Sequence, residues 1–354
     1  MRQPTVSVVV PCKASGATIR ETVHSLLNQD YPGLTEVILV GDVNDSTWQA
    51  LDDIDDPRLK MLSHVPSGGR DPNVKRDIGL RATESDYLAL ADSDIVMPKD
   101  WLSLGISLME DSGAECVAGG MNRIRDDFWG RYVDGTRIGA KTPRLERSYV
   151  VNARNFGRRG TKPPVTANVI FTRRLYERCP VDPRWMFGYE DYEWFWRVTR
   201  AGYEILFSPD LSGLHHHRRT FLALMTEYRR SSLGCAAFMR RHPDCPLAVK
   251  RKRQLFGLPI AGVTAVAASA VLAFYGLVWL VLAAVALGAA GSILYEWKKS
   301  KSIECLAYPF VSIVLGVAFL VGLMRGVAAT RQSLAASPEM VAPAAQPNPT
   351  LAVE

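Results

Sequence analysis

Cysteine is scarce and scattered in this 354-residue chain: six residues, at 12, 116, 179, 235, 245 and 305, with no Cys-x-x-Cys pair. That distribution argues against a disulfide framework and a cysteine-built zinc site, and it suits a reducing compartment. No secretory signal is legible at the N-terminus, because the apolar run Val6–Val10 is too short and meets Pro11 at once. No internal repeat is present. The most informative absence is of charge. Between Arg253 and Glu296 lie 42 residues without a single charged side chain. One bilayer crossing takes about 20 residues, so the run is long enough for two. A break is expected near Phe274, Tyr275 and Gly276. A third uncharged run, Cys305 to Met324, lies between Glu304 and Arg325. A buried core helix is the plainer alternative, but such helices seldom lack charge for so long.

The mean hydropathy of zero and the net charge of +6 describe no single part of the chain. Residues 1–253 hold 69 of the 78 charged side chains. Residues 1–217 carry a net −3, and residues 218–253 a net +8. A basic pI can mark a nucleic-acid binder. Here the basic charge sits in one collar directly before the apolar region, and the head is acidic, so nucleic acid is not an expected partner.

The first 218 residues alternate strand and helix patterns. Val6–Val10 reads as a buried strand, and Thr18 with Glu21 has capping-box spacing ahead of Ile19, Val23, Leu26 and Leu27 on one helical face. Strands are expected at Glu36–Val40, Arg58–Leu62 and Tyr87–Ala91, and short helices at Trp48–Ile54 and Val74–Ala82. The Gly68–Pro72 stretch reads as a loop, and a further helix should begin around Pro98–Trp101. The weakly periodic stretch Arg123–Lys162 reads as loops, and the Ala/Pro-rich end from about Gln332 as disordered. This alternation predicts an α/β fold with a mainly parallel sheet covered on both faces. Ligands on such sheets bind at the carboxyl ends of the strands.

Three groups of residues could carry chemistry. Asp92-Ser93-Asp94 follows an all-apolar strand, and side chains two apart on a strand point the same way. Both carboxylates could meet one hard cation, although bare Asp-x-Asp pairs often form solvated turns. Glu190 and Asp191 lie among Tyr189, Tyr192, Trp194 and Trp196, where a carboxylate could serve as general base. They could equally be the acidic start of a helix whose aromatics fill the core. His215-His216-His217-Arg218 could bind metal or sit on the surface near acidic lipid.

In combination these residues resemble family-2 glycosyltransferases with the GT-A nucleotide-sugar fold. The matching pieces are Val6–Pro11, Ser25-Leu26-Leu27-Asn28-Gln29, Asp92-Ser93-Asp94, Glu190-Asp191 with Trp194 and Arg197, Ala201-Gly202-Tyr203, and His215 with His217. They cover roughly residues 5–218. The resemblance implies a Rossmann-like sheet flanked by helices, followed by an α-helical membrane region. It places Pro11 and Lys13 at the nucleotide, and Asp42 at the base or ribose. Asp92, Ser93 and Asp94 would handle ribose, diphosphate and a Mg²⁺ or Mn²⁺ ion, with Arg76 on the diphosphate. Asp191 would be the general base, Glu190, Trp194 and Arg197 would lie on the acceptor side, and His215 or His217 would complete the metal site. Three departures stand out. Gly41-Asp42 replaces the usual Asp-Asp, Arg76-Asp77 replaces Arg-Asn, and no Gln-x-x-Arg-Trp follows Asp191, which argues against a processive synthase.

The resulting expectation is a catalytic domain over 1–218, a basic amphipathic segment over 219–253, and membrane spans at about 256–274, 276–295 and 305–324, with a tail over 327–354; the alternative is two spans, with 305–324 lying in the interface. Phe221, Met225, Tyr228, Cys235 and Met239 recur at helical spacing, which suits either an interfacial helix or one packed on the head. Lys250–Arg253 and the lysines at 298, 299 and 301 flank the first two spans, which predicts a multi-pass protein of the cell membrane with a cytoplasmic head. The expected partners are a nucleotide-sugar donor, a lipid-linked or envelope-glycan acceptor, and membrane lipid. The rival readings are a polyprenyl-phosphate sugar synthase and a catalytically silent scaffold subunit.

Overall fold

Apolar except for Ser7, the first strand, β1 (Val6–Pro11), is buried along nearly its whole length and can lie only inside a sheet. In the computed structural model it pairs in parallel with β2 (Leu34–Asp42) on one side and with β4 (Tyr87–Ala91) on the other. The structure describes residues 3–66, 71–136, 147–158, 160–185, 188–218, 220–300 and 302–333. Next to β2 lies β3 (Leu59–His64), also parallel. Beyond β4 the order continues with β8 (Asn168–Thr172), β6 (Cys116–Arg123) and β9 (Ile205–His215). Two short strands, β5 (Ile95–Val96) and β7 (Tyr149–Val151), pair with β9. Strand β8 runs antiparallel to both its neighbours, while β6 and β9 are parallel to each other.

These directions bring the carboxyl ends of β1, β2, β4, β6 and β9 to one edge of the sheet, together with the start of β8. Helices α1 (Ile19–Leu27), α2 (Pro72–Arg81) and α3 (Trp101–Ser112) complete the β/α alternation, followed by α5 (Arg173–Arg178) and α6 (Glu190–Arg200). Helix α1 buries Ile19, Val23, Leu26 and Leu27, the face that their spacing predicts. The sheet is therefore mainly parallel but mixed, as the insertion of β8 between β4 and β6 requires.

Local details depart from the sequence reading where tertiary partners outcompete local ones. Thr18 precedes α1 without capping it, because its Oγ1 donates to the Ser93 carbonyl at 2.9 Å and the Ser15 carbonyl at 3.3 Å. Trp48–Leu51 is a single 3₁₀ turn, and α3 begins at Trp101 with Pro98 outside it. The stretch read as loops contains a helix, α4 (Phe128–Gly135), as well as β7. Asp127 caps α4 by accepting from the Gly130 amide at 2.8 Å. Of the Gly68–Pro72 loop, residues 68–70 lie outside the described residues, as does the Ala/Pro-rich tail from 334.

The described residues within 1–124 and 142–216 form one compact unit, and those within 125–141 and 217–336 a second. The second unit holds α4, α7 (Phe221–Arg241), α8 (Pro246–Phe274), α9 (Val278–Ser300) and α10 (Tyr308–Ser333). Three of its helices are long and apolar enough to cross a membrane: Pro246–Phe274, Val278–Lys298 and Tyr308–Ala328. Helix α8 starts earlier than expected and carries the basic collar, and it ends at Phe274, followed by Gly276 with φ of 72°. The apolar row of α7 packs within the second unit. Leu224 joins Tyr132, Val133, Cys305, Tyr308 and Leu315 in one cluster, with Phe221, Met225 and Tyr228 packed against it.

Candidate active site

At the carboxyl edge, Asp92-Ser93-Asp94 forms a tight turn between β4 and β5. Strand alternation therefore does not align the two carboxylates, and each has its own partner. Asp92 Oδ1 lies 3.2 Å from Nη2 of Arg76, whose Nη1 donates to Asn73 Oδ1 at 3.2 Å. Asp94 Oδ1 lies 3.3 Å from Nε2 of His215, which the parallel run of β6 and β9 delivers to the same edge. Strand β5 pairs Ile95 with His215 and fixes that approach. Ser93 is held from α1's side, with its Oγ 2.6 Å from Ser15 Oγ.

Asp191 sits in the first turn of α6, where unpaired amide groups attract an anion. Its Oδ1 accepts from the Thr166 amide at 3.3 Å and, at short range, from the Thr166 hydroxyl. The next residue, Ala167, accepts from the Asp92 amide at 3.4 Å. Two consecutive residues entering β8 thus tie the Asp92 turn to Asp191. Asp92 is hemmed in by protein yet keeps 37% of its side-chain surface open. That crowding, with Asp94 and Asp191 nearby, raises its carboxyl above the ordinary carboxylate value, against the pull of Arg76 and His215.

At the ends of β1 and β2, charges alternate. Asp42 lies 2.5 Å from Lys75 Nζ and 3.5 Å from Lys13 Nζ, and Lys75 also donates to the Cys12 carbonyl at 2.8 Å. Lys75 is buried, and nothing in its local sequence marks it. Asp45, also missed, holds the turn after Pro11. It accepts from the Ala14 amide at 2.9 Å, from the Thr47 amide at 2.9 Å and from the Thr47 hydroxyl at 2.5 Å. Ala14 thereby adopts φ of 50°, a costly conformation for a residue with a Cβ. Burial pushes the Asp45 carboxyl up, but these hydrogen bonds outweigh it and the net shift is downward. A carboxyl lowered on folding adds stability above its unfolded value of about 3.9 and loses it as pH falls through the folded value. Asp45→Ala should therefore lower the melting temperature by ~5 °C at neutral pH, from about 2 kcal/mol of lost charged hydrogen bonds. The gap from wild type should narrow below pH 4, as scanning calorimetry at both pH values would show.

Several expected site residues lie elsewhere. Trp194 is in the core, its indole N–H donating to the Cys179 carbonyl at 2.7 Å and its ring against Phe171, so it offers no face to an acceptor. Arg197 is clasped by buried Glu193 at 2.9 Å, one helical turn away. Glu190 begins α6 beside Asp191. His217 belongs to the second unit, where its Nε2 lies 3.0 Å from Asp134 of α4 and both side chains are buried. Of the two histidines, His215 is the one seen against an Asp-x-Asp carboxylate, Asp94. His216 pairs with Glu21 at 3.1 Å. Asp77 turns to Arg81 at 2.9 Å. Gly41 has a spatial cause: a Cβ there would come within 2.5 Å of the Trp48 ring, whose N–H donates to the Asp42 carbonyl at 2.9 Å. Among the described residues no three His, Cys, Asp or Glu side chains converge as a metal site.

A mainly parallel sheet flanked by helices, with an Asp-x-Asp turn and a third carboxylate at its carboxyl edge, defines a nucleotide-sugar-dependent glycosyltransferase of the GT-A class. The chain belongs to glycosyl transferase family 2, whose sequence model matches residues 7–182. Asp191 and His215 lie beyond that match. Glycosyltransferase AglE of Haloferax volcanii is 22% identical over 228 residues, covering 64% of this chain and 71% of the relative. The pre-mycofactocin glycosyltransferase of Mycobacterium tuberculosis is 27% identical over 259 residues, covering 69% of this chain and half of its own length. The fold is similar to that of the mannosyltransferase PcManGT from Pyrobaculum calidifontis, solved with GDP-Man and Mn²⁺. That likeness has a TM-score of 0.60 at 20% identity, over 94% of this chain and 89% of the other.

Proposed function

We propose a membrane-anchored, metal-dependent inverting glycosyltransferase that moves a sugar from a nucleotide donor to a hydroxyl of a lipid-linked or envelope-glycan acceptor. The observation that carries this reading is the Thr166–Ala167 link, which holds Asp191 and the Asp92 turn at one edge. Asp191 takes the proton of the acceptor hydroxyl as its oxygen attacks the sugar's C1 and the nucleoside diphosphate leaves from the opposite side. A poor nucleophile becomes a competent one in that step, and a single displacement inverts the anomeric centre. Arg76 faces the leaving group beside Asp92, and Lys13 with Asp42 lies beside the nucleoside.

Asp94 and His215 would hold the metal. One carboxylate and one imidazole at 3.3 Å form a donor set that suits Mn²⁺ or Mg²⁺ when donor phosphates supply the remaining oxygens. A bound divalent ion supplies charge stabilisation of the leaving diphosphate. GDP-mannose, the donor named with PcManGT, is the first to assay with Mn²⁺. Asp94→Ala should weaken Mn²⁺-dependent nucleotide binding by more than ~10-fold, the usual loss on removing even an outer partner of a metal ligand. Calorimetry showing unchanged affinity would refute the metal role.

The anchor is the apolar region after the collar, and a membrane-borne acceptor suits an anchored enzyme. The basic clusters beside α8 and α9 support a cytoplasmic head in the cell membrane.

A further inference from the structure

We propose that α10 does not cross the bilayer: with α7 it forms a two-helix platform lying in the membrane interface, and only α8 and α9 span. Length and apolarity make α10 as good a candidate span as the other two, and its packing is what separates it from them. The apolar stretches of α8 and α9 are almost wholly uncovered by protein, with Val263, Val266, Leu282, Val285 and Leu287 all exposed, as lipid-facing spans should be. Helix α10 is covered along one stripe.

That stripe runs beside α7 in the same direction. Near their starts, Tyr308 lies 5.5 Å from Tyr132 and from Phe128, and Phe221 lies 6.2 Å from Trp129, neighbouring rings of α4. Further along, a Cβ on Gly322 would come within 2.0 Å of Ser232 Oγ, and one on Gly326 within 2.8 Å of Ala236 Cβ. The clustering of Leu224 with Leu315 and the two glycine contacts give a shared seam from Leu224 to Ala236, about 18 Å at 1.5 Å per residue. If α10 stood across the bilayer, α7 would stand with it and take Glu227, Arg229 and Arg230 into hydrocarbon, where each charge is costly.

Two further contacts fix the depth of α10 independently of α7. Arg251, in the basic collar of α8, places its guanidinium carbon 5.5 Å from the ring centre of Phe319, near the midpoint of the apolar stretch Tyr308–Ala328. A residue at bilayer centre would not sit under a collar that marks the boundary. Glu304, just before α10, holds a two-bond ion pair with Arg131 of α4 at 2.6 and 2.7 Å. The start and the middle of α10 thus both lie level with charged groups. Its opposite stripe, Phe310, Ile313, Val314, Val317, Val321 and Met324, is exposed and apolar. The occupant of that stripe is the acyl boundary of the same bilayer that takes α8 and α9, the arrangement of an in-plane amphipathic helix.

The proposal rests on the α8–α9 anchor, and the experiment tests the two separately. All six native cysteines are buried, so single added cysteines can be labelled in the full chain in sealed vesicles of both orientations. Nitroxide quenching should report Val317→Cys at headgroup depth and Val266→Cys near the bilayer centre. Val327→Cys should react with an impermeant maleimide from the side that labels Asp244→Cys, and be fully protected from the side that labels Tyr275→Cys. A label at 317 as deep as that at 266, or a residue 327 that labels with 275, would overturn the in-plane helix and restore three spans. A shallow label at 266 would remove the anchor itself and the proposal with it.

Discussion

Asp191→Asn should lower kcat by roughly 10³-fold, about 4 kcal/mol of barrier, while the donor's dissociation constant stays within a factor of about two. The substitution keeps the side chain's size and one oxygen facing the Thr166 hydroxyl and amide, so the first turn of α6 should remain in place. What it removes is the capacity to accept a proton from the acceptor. Donor binding is argued from other residues, Arg76, Lys13 and the Asp92–Asp94 turn, so it should survive. The two halves of the prediction check each other: lost binding would mean a disturbed edge, and lost turnover with intact binding marks a base. Full turnover on a hydroxyl acceptor would remove Asp191 from the chemistry. A phosphate acceptor is already ionised and would tolerate the change, so activity retained on polyprenyl phosphate alone would favour that class of acceptor.

The largest effect on stability is expected at Asn168, which the sequence reading passed over. Strands β6 and β9 lose register between Gly119 and Met121: Gly119 pairs with Ser208, but Met121 pairs with Gly213. The extra residues of β9 bulge out of the ladder. Asn168, fully buried in the neighbouring strand, fills the gap. Its Nδ2 donates to the Gly120 carbonyl at 2.9 Å and the Leu211 carbonyl at 2.7 Å, and its Oδ1 accepts from the Trp101 indole at 2.8 Å. The fit leaves no room at Gly119, where a Cβ would come within 2.2 Å of the Leu211 carbonyl oxygen. Asn168→Leu would orphan three buried polar groups, each costing ~1–3 kcal/mol, for a total of about 4 kcal/mol and a melting temperature lower by ~10 °C. Asn168 pairs with Ala91, the residue before Asp92, so catalysis should fall as well. A melting temperature within 2 °C of wild type would contradict the role of the bulge plug, by the same ~2–4 °C per kcal/mol scale.

Neither Asn168 nor Thr166 carries a local signal. Each matters because of a residue far along the chain, Leu211 in one case and Asp191 in the other, and periodicity cannot report such a pairing. Asp45 and Lys75 were hidden for the same reason: the parallel pairing of β1 and β2 brings Ala14 to Asp45, and the packing of α2 on those strands brings Lys75 to Asp42. The Asp-x-Asp turn was legible because an unbroken apolar strand points at it. Even so, the expected shared orientation of its carboxylates failed, since Asp92 and Asp94 lie in a turn and answer to Arg76 and His215. Trp194 shows the converse case. An aromatic next to acidic residues looked like an acceptor surface, but the core claimed it.

By itself the sequence determined the α/β alternation, the carboxyl edge as the place for chemistry, and the separation of an acidic head from an apolar region. These follow from short-range rules, in which side-chain period selects strand or helix and uncharged length selects membrane. Tertiary structure decided which of the scattered polar residues meet: His215 with Asp94 and His217 with Asp134, Thr166 with Asp191, Asn168 with the bulge. It also covered α10 with α7 and set Arg251 on Phe319, distinguishing three helices of nearly equal hydropathy. Hydropathy sums over one segment, whereas the cost of placing a helix in hydrocarbon depends on everything packed against it.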